Sequence, residues 1–256
     1  MRILIAAAFI IVSTHTALFA QTIAIRQANE GKEVKLWVKN TLPCAISLTV
    51  TSDSLSINSH QYLPENSERV LTTVPARTVP ASLAEIPFTY SFTLGNPHAV
   101  HDSLYRYSLP FPEGNSYELI QGNNGEFSHN VPSSQYAFDF KMPIGSIVTA
   151  ARGGVVGYVE EDFPAGGTEE KFLSKANRVL VCHDDGSVSM YVHLKQNGAL
   201  VQVGDPVYAG QVIGFSGNSG YSSTPHLHFA VLIGDRSVPI LFYSHPELQV
   251  GKFYEH

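Results

Sequence analysis

The sequence of 256 residues predicts an all-β protein, with a small antiparallel β-sandwich followed by a second antiparallel β domain. Apolar residues alternate with polar ones in both halves, which is the period of a strand with one buried face. The 14 Phe and 12 Tyr residues favour strands. The 20 glycines and 15 prolines supply the turns between those strands.

Residues 1–20 are predicted to be a secretory signal peptide. The basic Arg2 precedes a long apolar stretch that ends in Ala20, so cleavage would leave Gln21 first in an exported protein, periplasmic or extracellular. The stretch is close to the ~20 residues that span a bilayer, and an uncleaved anchor is the alternative, which His15 disfavours. We expect no stable membrane span after cleavage.

Charge and composition exclude several classes of protein. The chain has 16 Lys and Arg against 22 Asp and Glu, a net charge of −6, whereas nucleic-acid binding needs a basic face, so no such partner is expected. A hydrophobic content of 44% excludes a disordered chain. Cys44 and Cys182 are too few for a cysteine-rich zinc site, and we expect buried thiols rather than a disulfide.

Residues 21–110 are predicted to form the N-terminal sandwich. Alternation is clearest over residues 34–38, 46–50 and 88–94. The segment 109–114 contains two prolines and a glycine, which suit a boundary between domains. The second domain is therefore placed at residues 115–245.

The second domain contains a weak internal repeat. The pattern G-x-x-V-x-A at residues 145–150 recurs at residues 204–209, and each copy is followed by Val-Val-Gly or Val-Ile-Gly. The Asp-Asp-Gly sequence at residues 184–186 separates two alternating runs and predicts a β-hairpin. The helical candidate is a short one, residues 168–175, inside a loop.

Histidine is the residue type that suggests chemistry in this domain. His226 and His228 lie two positions apart in a strand pattern, so their imidazoles project from one face. A half-exposed polar face is one explanation, and a metal ion is the other. Catalytic zinc takes three protein ligands and keeps one position for water. His129, Asp139 and His193 are candidates to complete such a site.

Three stretches together resemble the lysostaphin/LytM-type zinc metallopeptidases. They read GEFSHNVPSSQYAFDFKMPIGSIVTAARGGVVG, YVHL and VGDPVYAGQVIGFSGNSGYSSTPHLHF, and they occur in the order of that family. The resemblance covers roughly residues 120–235. It implies a domain built on an antiparallel sheet of the barrel-sandwich type. It also implies that the protein is an endopeptidase that cleaves peptide bonds in bacterial peptidoglycan, with the wall or its peptides as substrate.

The resemblance also implies a role for each candidate residue. His129, Asp139 and His228 match the metal ligands of the family, which would hold one Zn²⁺ per chain. His193 and His226 match its catalytic imidazoles. One departure concerns spacing, because the best-known members place the first His and the Asp four residues apart, whereas ten positions separate His129 and Asp139 here. We interpret this as a longer loop beside the metal, which alters the substrate groove.

Three other functions remain open. A catalytically idle LytM-like protein would bind the cell wall or regulate another wall hydrolase, but such members usually lose site residues that are present here. The Val-Gly-Asp-x-Val-x-Ala-Gly pattern also resembles biotin and lipoyl carriers, with Lys141 as the modified residue, although Pro143 follows closely. A purely adhesive β protein predicts no stoichiometric metal.

Overall fold

The structure is a computed structural model that describes residues 11–13, 23–79 and 86–256. The chain divides into two compact units, Phe9–Asn96 and Pro97–His256. The predicted signal peptide lies outside the described residues except for Ile11–Ser13, which forms a strand. No helix in the described part of the chain is long and apolar enough to cross a membrane.

The N-terminal unit consists of two antiparallel sheets. Its strands are β1 (Ile11–Ser13), β2 (Ile23–Glu30), β3 (Glu33–Asn40), β4 (Ile46–Ser52), β5 (Ile57–Leu63), β6 (Glu68–Pro75) and β7 (Thr89–Leu94). One sheet has the order β1-β7-β4-β5 and the other β2-β3-β6. A single 3₁₀ turn, Ala76–Thr78, follows β6.

The core of this unit follows the predicted alternation. Val34, Leu36 and Val38 of β3 are buried, while Lys35 and Trp37 between them are more exposed. Ile46 and Val50 of β4 are buried in the same way. Each sheet therefore buries one face, as the sequence predicts for a small sandwich.

The C-terminal unit is built around one large antiparallel sheet. Its strands are β8 (Arg106–Tyr107), β9 (Ser116–Gln121), β10 (Phe138–Lys141), β11 (Ile147–Thr149), β12 (Gly154–Glu160), β13 (Gly166–Gly167), β14 (Arg178–Cys182), β15 (Val188–Val192), β16 (Leu194–Ala199), β17 (Pro206–Val207), β18 (Val212–Ser216), β19 (Gly220–Tyr221), β20 (Leu227–Ile233), β21 (Arg236–Ser237), β22 (Leu241–Phe242) and β23 (Phe253–Glu255). The large sheet has the order β17-β12-β14-β15-β20-β10-β9-β23, with β21 added to β20. Strands β11, β18 and β16 form a smaller sheet, and the pairs β13–β19 and β8–β22 are parallel.

The predicted hairpin is confirmed, and the predicted helix is reduced to one turn. Gly186, with φ of +85°, lies in the turn between β14 and β15. Within residues 168–175 only Glu170–Phe172 forms a 3₁₀ turn. Cys44 and Cys182 are both buried, and no disulfide joins them.

The core of the C-terminal unit extends beyond residues 115–245 at both ends. Tyr107, Leu109 and Phe111 are buried in it, so the proline-containing segment 109–114 is integrated into this unit. Strand β23 pairs with β9 at the edge of the large sheet. Independent folding of the two predicted domains stays a prediction.

The two copies of the internal repeat are interlocked. The short first strand of each copy, β11 or β17, pairs with the second strand of the other copy, β18 or β12. The amide of Gly145 donates to Ser216 O at 2.8 Å, and the amide of Gly204 donates to Val156 O at 2.9 Å. Both glycines have φ near +90°, a conformation that other residues rarely adopt.

Candidate metal centre

The centre is built on β20, which carries His228, and on His226, which directly precedes the strand and forms an isolated bridge with Gly217. Leu227 and Phe229 are buried in the hydrophobic core, so His228 projects from the opposite face of the sheet. In the register of the sheet, His228 lies beside Asp139 of β10 on one side and Val192 of β15 on the other. The central position of β20 in the sheet thus fixes the place of this imidazole.

A β-bulge in the pairing of β10 with β9 brings a second polar group to Asp139. The register shifts between Asp139 and Phe140, so that Gln121 pairs with Asp139 while Leu119 pairs with Phe140 in the core. Gln121 Nε2 donates to Asp139 Oδ2 at 3.0 Å and to Ser128 Oγ at 2.8 Å. Bulges beside active sites commonly redirect side chains in this way.

His129 reaches the same place from the loop between β9 and β10. Its Nδ1 donates to the carbonyl of Gly122 at 2.7 Å. Since a carbonyl only accepts, Nδ1 carries the proton in the neutral ring, and Nε2 has a lone pair. That Nε2 lies 3.2 Å from Asp139 Oδ1 and 3.3 Å from His228 Nδ1.

His226 and His193 adjoin this group and are also fixed by backbone carbonyls. His226 Nδ1 donates to Thr224 O, and His193 Nδ1 donates to Ser219 O, both at 2.7 Å. The two rings are 4.5 Å apart between centroids. His226 Nε2 lies 3.8 Å from Asp139 Oδ1. Both histidines are buried, and each keeps its Nε2 available in the neutral form.

The backbone around His193 is strained. His193 has φ of +64°, which is uncommon for a residue other than glycine, and it lies between the end of β15 and the start of β16. Gly217 permits this crossing, because a Cβ there would lie 2.8 Å from His193 O and 2.5 Å from Lys195 N. Such strain is concentrated at functional sites, where the surrounding structure maintains it.

Burial and mutual charge set the protonation of the cluster. Burial alone would raise the pKa of Asp139, but His228 and His129 outweigh it and hold the pKa well below its usual range. Burial lowers the pKa of His193, and the neighbouring His226 and His228 lower it further. Burial also lowers the pKa of His228, against the opposing effect of Asp139. The two imidazoles are therefore neutral at pH 7, the form that binds metals or accepts protons.

The spacing of the donor atoms fits a tetrahedral zinc site. His129, Asp139 and His228 offer ligand atoms that lie within 4.8 Å of one another, and all three are buried. Their separations are 2.8, 3.2 and 3.3 Å. Tetrahedral ligands at about 2.0–2.1 Å from zinc are about 3.3 Å apart, so small adjustments would place all three on one ion.

Two aromatic side chains stack beside the centre. The rings of Phe127 and Tyr221 are 6.0 Å apart and nearly parallel, at 14°. Phe127 precedes His129 in the long loop, and Tyr221 belongs to β19, shortly before His226. This ring contact thus joins the segment that leads to His129 with the segment that leads to His226.

Residues 133–239 match peptidase family M23. This region of the chain is a peptidase M23 domain. Asp139, His193, His226 and His228 fall inside the matched range, and His129 lies four positions before it. The placement of His129 at the centre of this M23 domain therefore rests on the geometry described above.

The relatives of the M23 domain include named peptidases. Peptidoglycan DD-endopeptidase ShyA of Vibrio cholerae is 31% identical over 140 residues, which are 54% of this chain and 30% of ShyA. Lysostaphin of Staphylococcus simulans is 37% identical over 103 residues, 40% of this chain and 19% of lysostaphin. The crystallised catalytic domain of lysostaphin is 32% identical, with a TM-score of 0.33, over 50% of this chain and 88% of that domain. The chain spans less than a third of the length of these two curated relatives.

The structure brings together all five residues that the sequence singled out. It also adds groups that the sequence did not indicate, namely Gln121 and the carbonyls of Gly122, Ser219 and Thr224. Every residue has a carbonyl, so no residue type marks those that orient an imidazole. Gln121 faces Asp139 only because of the bulge, which period-2 alternation does not predict.

Proposed function

We propose that this chain is an exported zinc metalloendopeptidase that hydrolyses peptide bonds in the peptide part of bacterial peptidoglycan. The convergence of His129, Asp139 and His228 at the spacing of zinc ligands supports the proposal most strongly. The M23 domain supports peptide hydrolysis, and the peptidoglycan endopeptidase activity for which ShyA is named supports peptidoglycan as the substrate. Export rests on the predicted signal peptide over residues 1–20.

His129, Asp139 and His228 would hold one Zn²⁺ per chain, and a single carboxylate leaves the centre with a net charge of +1. When bound, zinc polarises the scissile carbonyl and lowers the pKa of a coordinated water toward ~7. Gln121 donates a hydrogen bond to Asp139 Oδ2, and the carbonyl of Gly122 accepts one from His129 Nδ1. Both bonds leave Asp139 Oδ1 and His129 Nε2 to face the proposed metal position. Outer partners of this kind fix ligand orientation.

His193 and His226 handle the proton and the developing charge. A neutral imidazole accepts the proton of the attacking water at Nε2, because Nδ1 is occupied by a carbonyl. The same Nε2 then becomes a donor, which stabilises the oxyanion or delivers the proton to the leaving amine. Water thus adds to the carbonyl carbon, the C–N bond breaks, and the amine leaves with the transferred proton.

Purified full-length chain and intact peptidoglycan test this proposal. We expect one zinc per chain by elemental analysis, release of wall peptides, and new amino termini inside the peptides by mass spectrometry. A chelator should abolish release, and zinc should restore it. Zinc without cleavage would favour the idle, wall-binding alternative, and absence of stoichiometric zinc would contradict the metal assignment.

A further inference from the structure

A pocket of about 450 Å³ lies in the C-terminal unit, beside the strands that carry the metal centre. We call it the charged pocket. The lining residues that matter here are Tyr117, Glu118, Lys141, Thr224, Pro225 and Phe253.

The charged pocket and the metal centre share one face of the large sheet. Lys141 follows Asp139 by two positions in β10, so both side chains leave the same face, opposite the buried Phe140. Glu118 of β9 pairs with Lys141 of β10. Thr224 and Pro225 line the pocket and directly precede His226. A peptide that reaches the metal centre therefore has this pocket next to it.

The charges in the pocket are only loosely paired. Lys141 Nζ lies 3.8 Å from Glu118 Oε2, whereas Lys35 Nζ lies 2.6 Å from Glu30 Oε2 in the N-terminal unit. The Lys141 side chain is 58% exposed, and that of Glu118 is 30% exposed. An ammonium and a carboxylate at this separation both keep hydrogen-bonding capacity for a third group. Apolar surface from Tyr117 and Phe253 surrounds them.

We propose that the charged pocket binds a substrate residue whose side chain ends in a free amino acid head, with one ammonium and one carboxylate. The substrate carboxylate would pair with Lys141, and the substrate ammonium with Glu118. A diamino-dicarboxylic acid that is joined to the peptide through one end has such a free head at its other end. This inference rests on the proposed function and names the specificity of the same site.

The charge arrangement favours a head with both signs over a single charge. A lone carboxylate beside Lys141 would also approach Glu118 and be repelled, and a lone ammonium would be repelled by Lys141. A head with both groups places each charge against its opposite. The pocket would therefore select by attraction and by repulsion at once, which is how specific sites discriminate.

Three forms of one wall peptide test the inference. The first has the free head, the second has its carboxylate amidated, and the third has its amine acetylated. For the zinc-loaded full chain we expect kcat/KM about tenfold lower for each blocked form, since a hydrogen bond to a charged group contributes about that factor.

Two variants assign the charges. Lys141→Met should lose the discrimination against the amidated peptide and keep that against the acetylated one. Glu118→Gln should do the reverse. The matched control is Lys35→Met, which breaks another exposed lysine–glutamate pair and should leave both discriminations unchanged. Zinc content and circular dichroism should remain those of the original chain in all three variants.

Equal rates on the three peptides would overturn the inference and leave the proposed function standing. Discrimination that depends on Lys141 alone, or on Glu118 alone, would also overturn it, since the pocket would then bind a single charge. Failure of the zinc-loaded chain to cleave any form, or intact peptidoglycan, would instead contradict the proposed function.

Discussion

Two clusters of polar side chains in the C-terminal unit differ in how their hydrogen bonds are satisfied. One surrounds the buried Arg152, and the other surrounds the buried Asp139. In the cluster around Arg152, each of the two terminal guanidinium nitrogens has its own carboxylate acceptor. Nη1 donates to Asp185 and Nη2 to Asp184, both at 2.7 Å, and the ring of Tyr105 lies 4.1 Å from the guanidinium carbon. This cluster pairs its charges internally, so it needs nothing further.

The metal centre is arranged in the opposite sense. Asp139 is surrounded by imidazoles. Nδ1 of His129 and Nδ1 of His226 are each held by a backbone carbonyl, while His129 Nε2, His226 Nε2 and His228 Nδ1 all lie within 3.8 Å of Asp139 Oδ1. Buried polar atoms are normally satisfied by direct partners. Three ring nitrogens converge here on one carboxylate oxygen, instead of each having a partner of its own, and this convergence indicates a site for an added group.

The largest expected effect separates the proposed metal ligands from the proposed catalytic imidazoles. Asp139→Asn and His228→Ala should abolish stoichiometric zinc, because each removes or weakens one of three protein ligands. His226→Ala and His193→Ala should keep about one zinc per chain and lose activity by about 10²–10⁴-fold. Elemental analysis after dialysis and cleavage rates measure the two effects. Equal loss of zinc in His226→Ala and His228→Ala would show that His226 is a ligand.

A smaller effect on zinc binding is expected when a residue that positions a proposed ligand is replaced. Gln121→Leu removes the hydrogen bond to Asp139 Oδ2, and we expect zinc affinity to fall about 10–100-fold, as for other partners of metal ligands. Competition with a fluorescent chelator measures this affinity. Gln196→Leu, which removes an exposed hydrogen bond to Asp162 O, is the control. An unchanged affinity in Gln121→Leu would contradict the positioning role.

The arginine cluster should respond through stability rather than metal binding. Arg152→Met leaves Asp185 without its cation, and we expect the free energy of unfolding to fall by about 2 kcal/mol. The loss stays below that of a fully buried pair because the Asp184 side chain is 92% exposed. Urea unfolding measures the change, and zinc stoichiometry should not alter. Loss of zinc in this variant would remove the distinction between the clusters.

Acid should weaken the arginine cluster by the smallest amount. Burial would raise the pKa of Asp185, but hydrogen bonds from Ser187 and Arg152 outweigh it and lower the pKa to about 2. A depressed carboxyl pKa stabilises the fold above the unfolded value, so this contribution is lost as the pH falls from about 4 to about 2. For this partly exposed group we expect about 1 kcal/mol. The difference in unfolding free energy between the original chain and Asp185→Asn, followed over that range, checks it.

Local patterns in the sequence predict some parts of this site and not others. Alternation predicts that His226 and His228 share a strand face, and the Asp-Gly signal predicts the hairpin that ends at His193. The meeting of His129 and Asp139 with that strand depends on pairings between distant segments, which only the family resemblance implied. The bulge that turns Gln121 toward Asp139 and the carbonyls that orient the imidazoles are properties of backbone geometry, so they required the structure.

The interlocked repeat makes folding of this domain depend on strands that are far apart in the sequence. Strand β11 lies near the start of the domain, whereas its partner β18 ends only at Ser216. Neither copy of the repeat can close on its own, because each completes the other, and pairings of this range slow folding. A chain that stopped before residue 212 would present Ile147–Thr149 as an unpaired edge, which is a template for aggregation. We therefore expect the domain to fold as one cooperative unit, and a truncated product to be a substrate for chaperones and proteases rather than a partial enzyme.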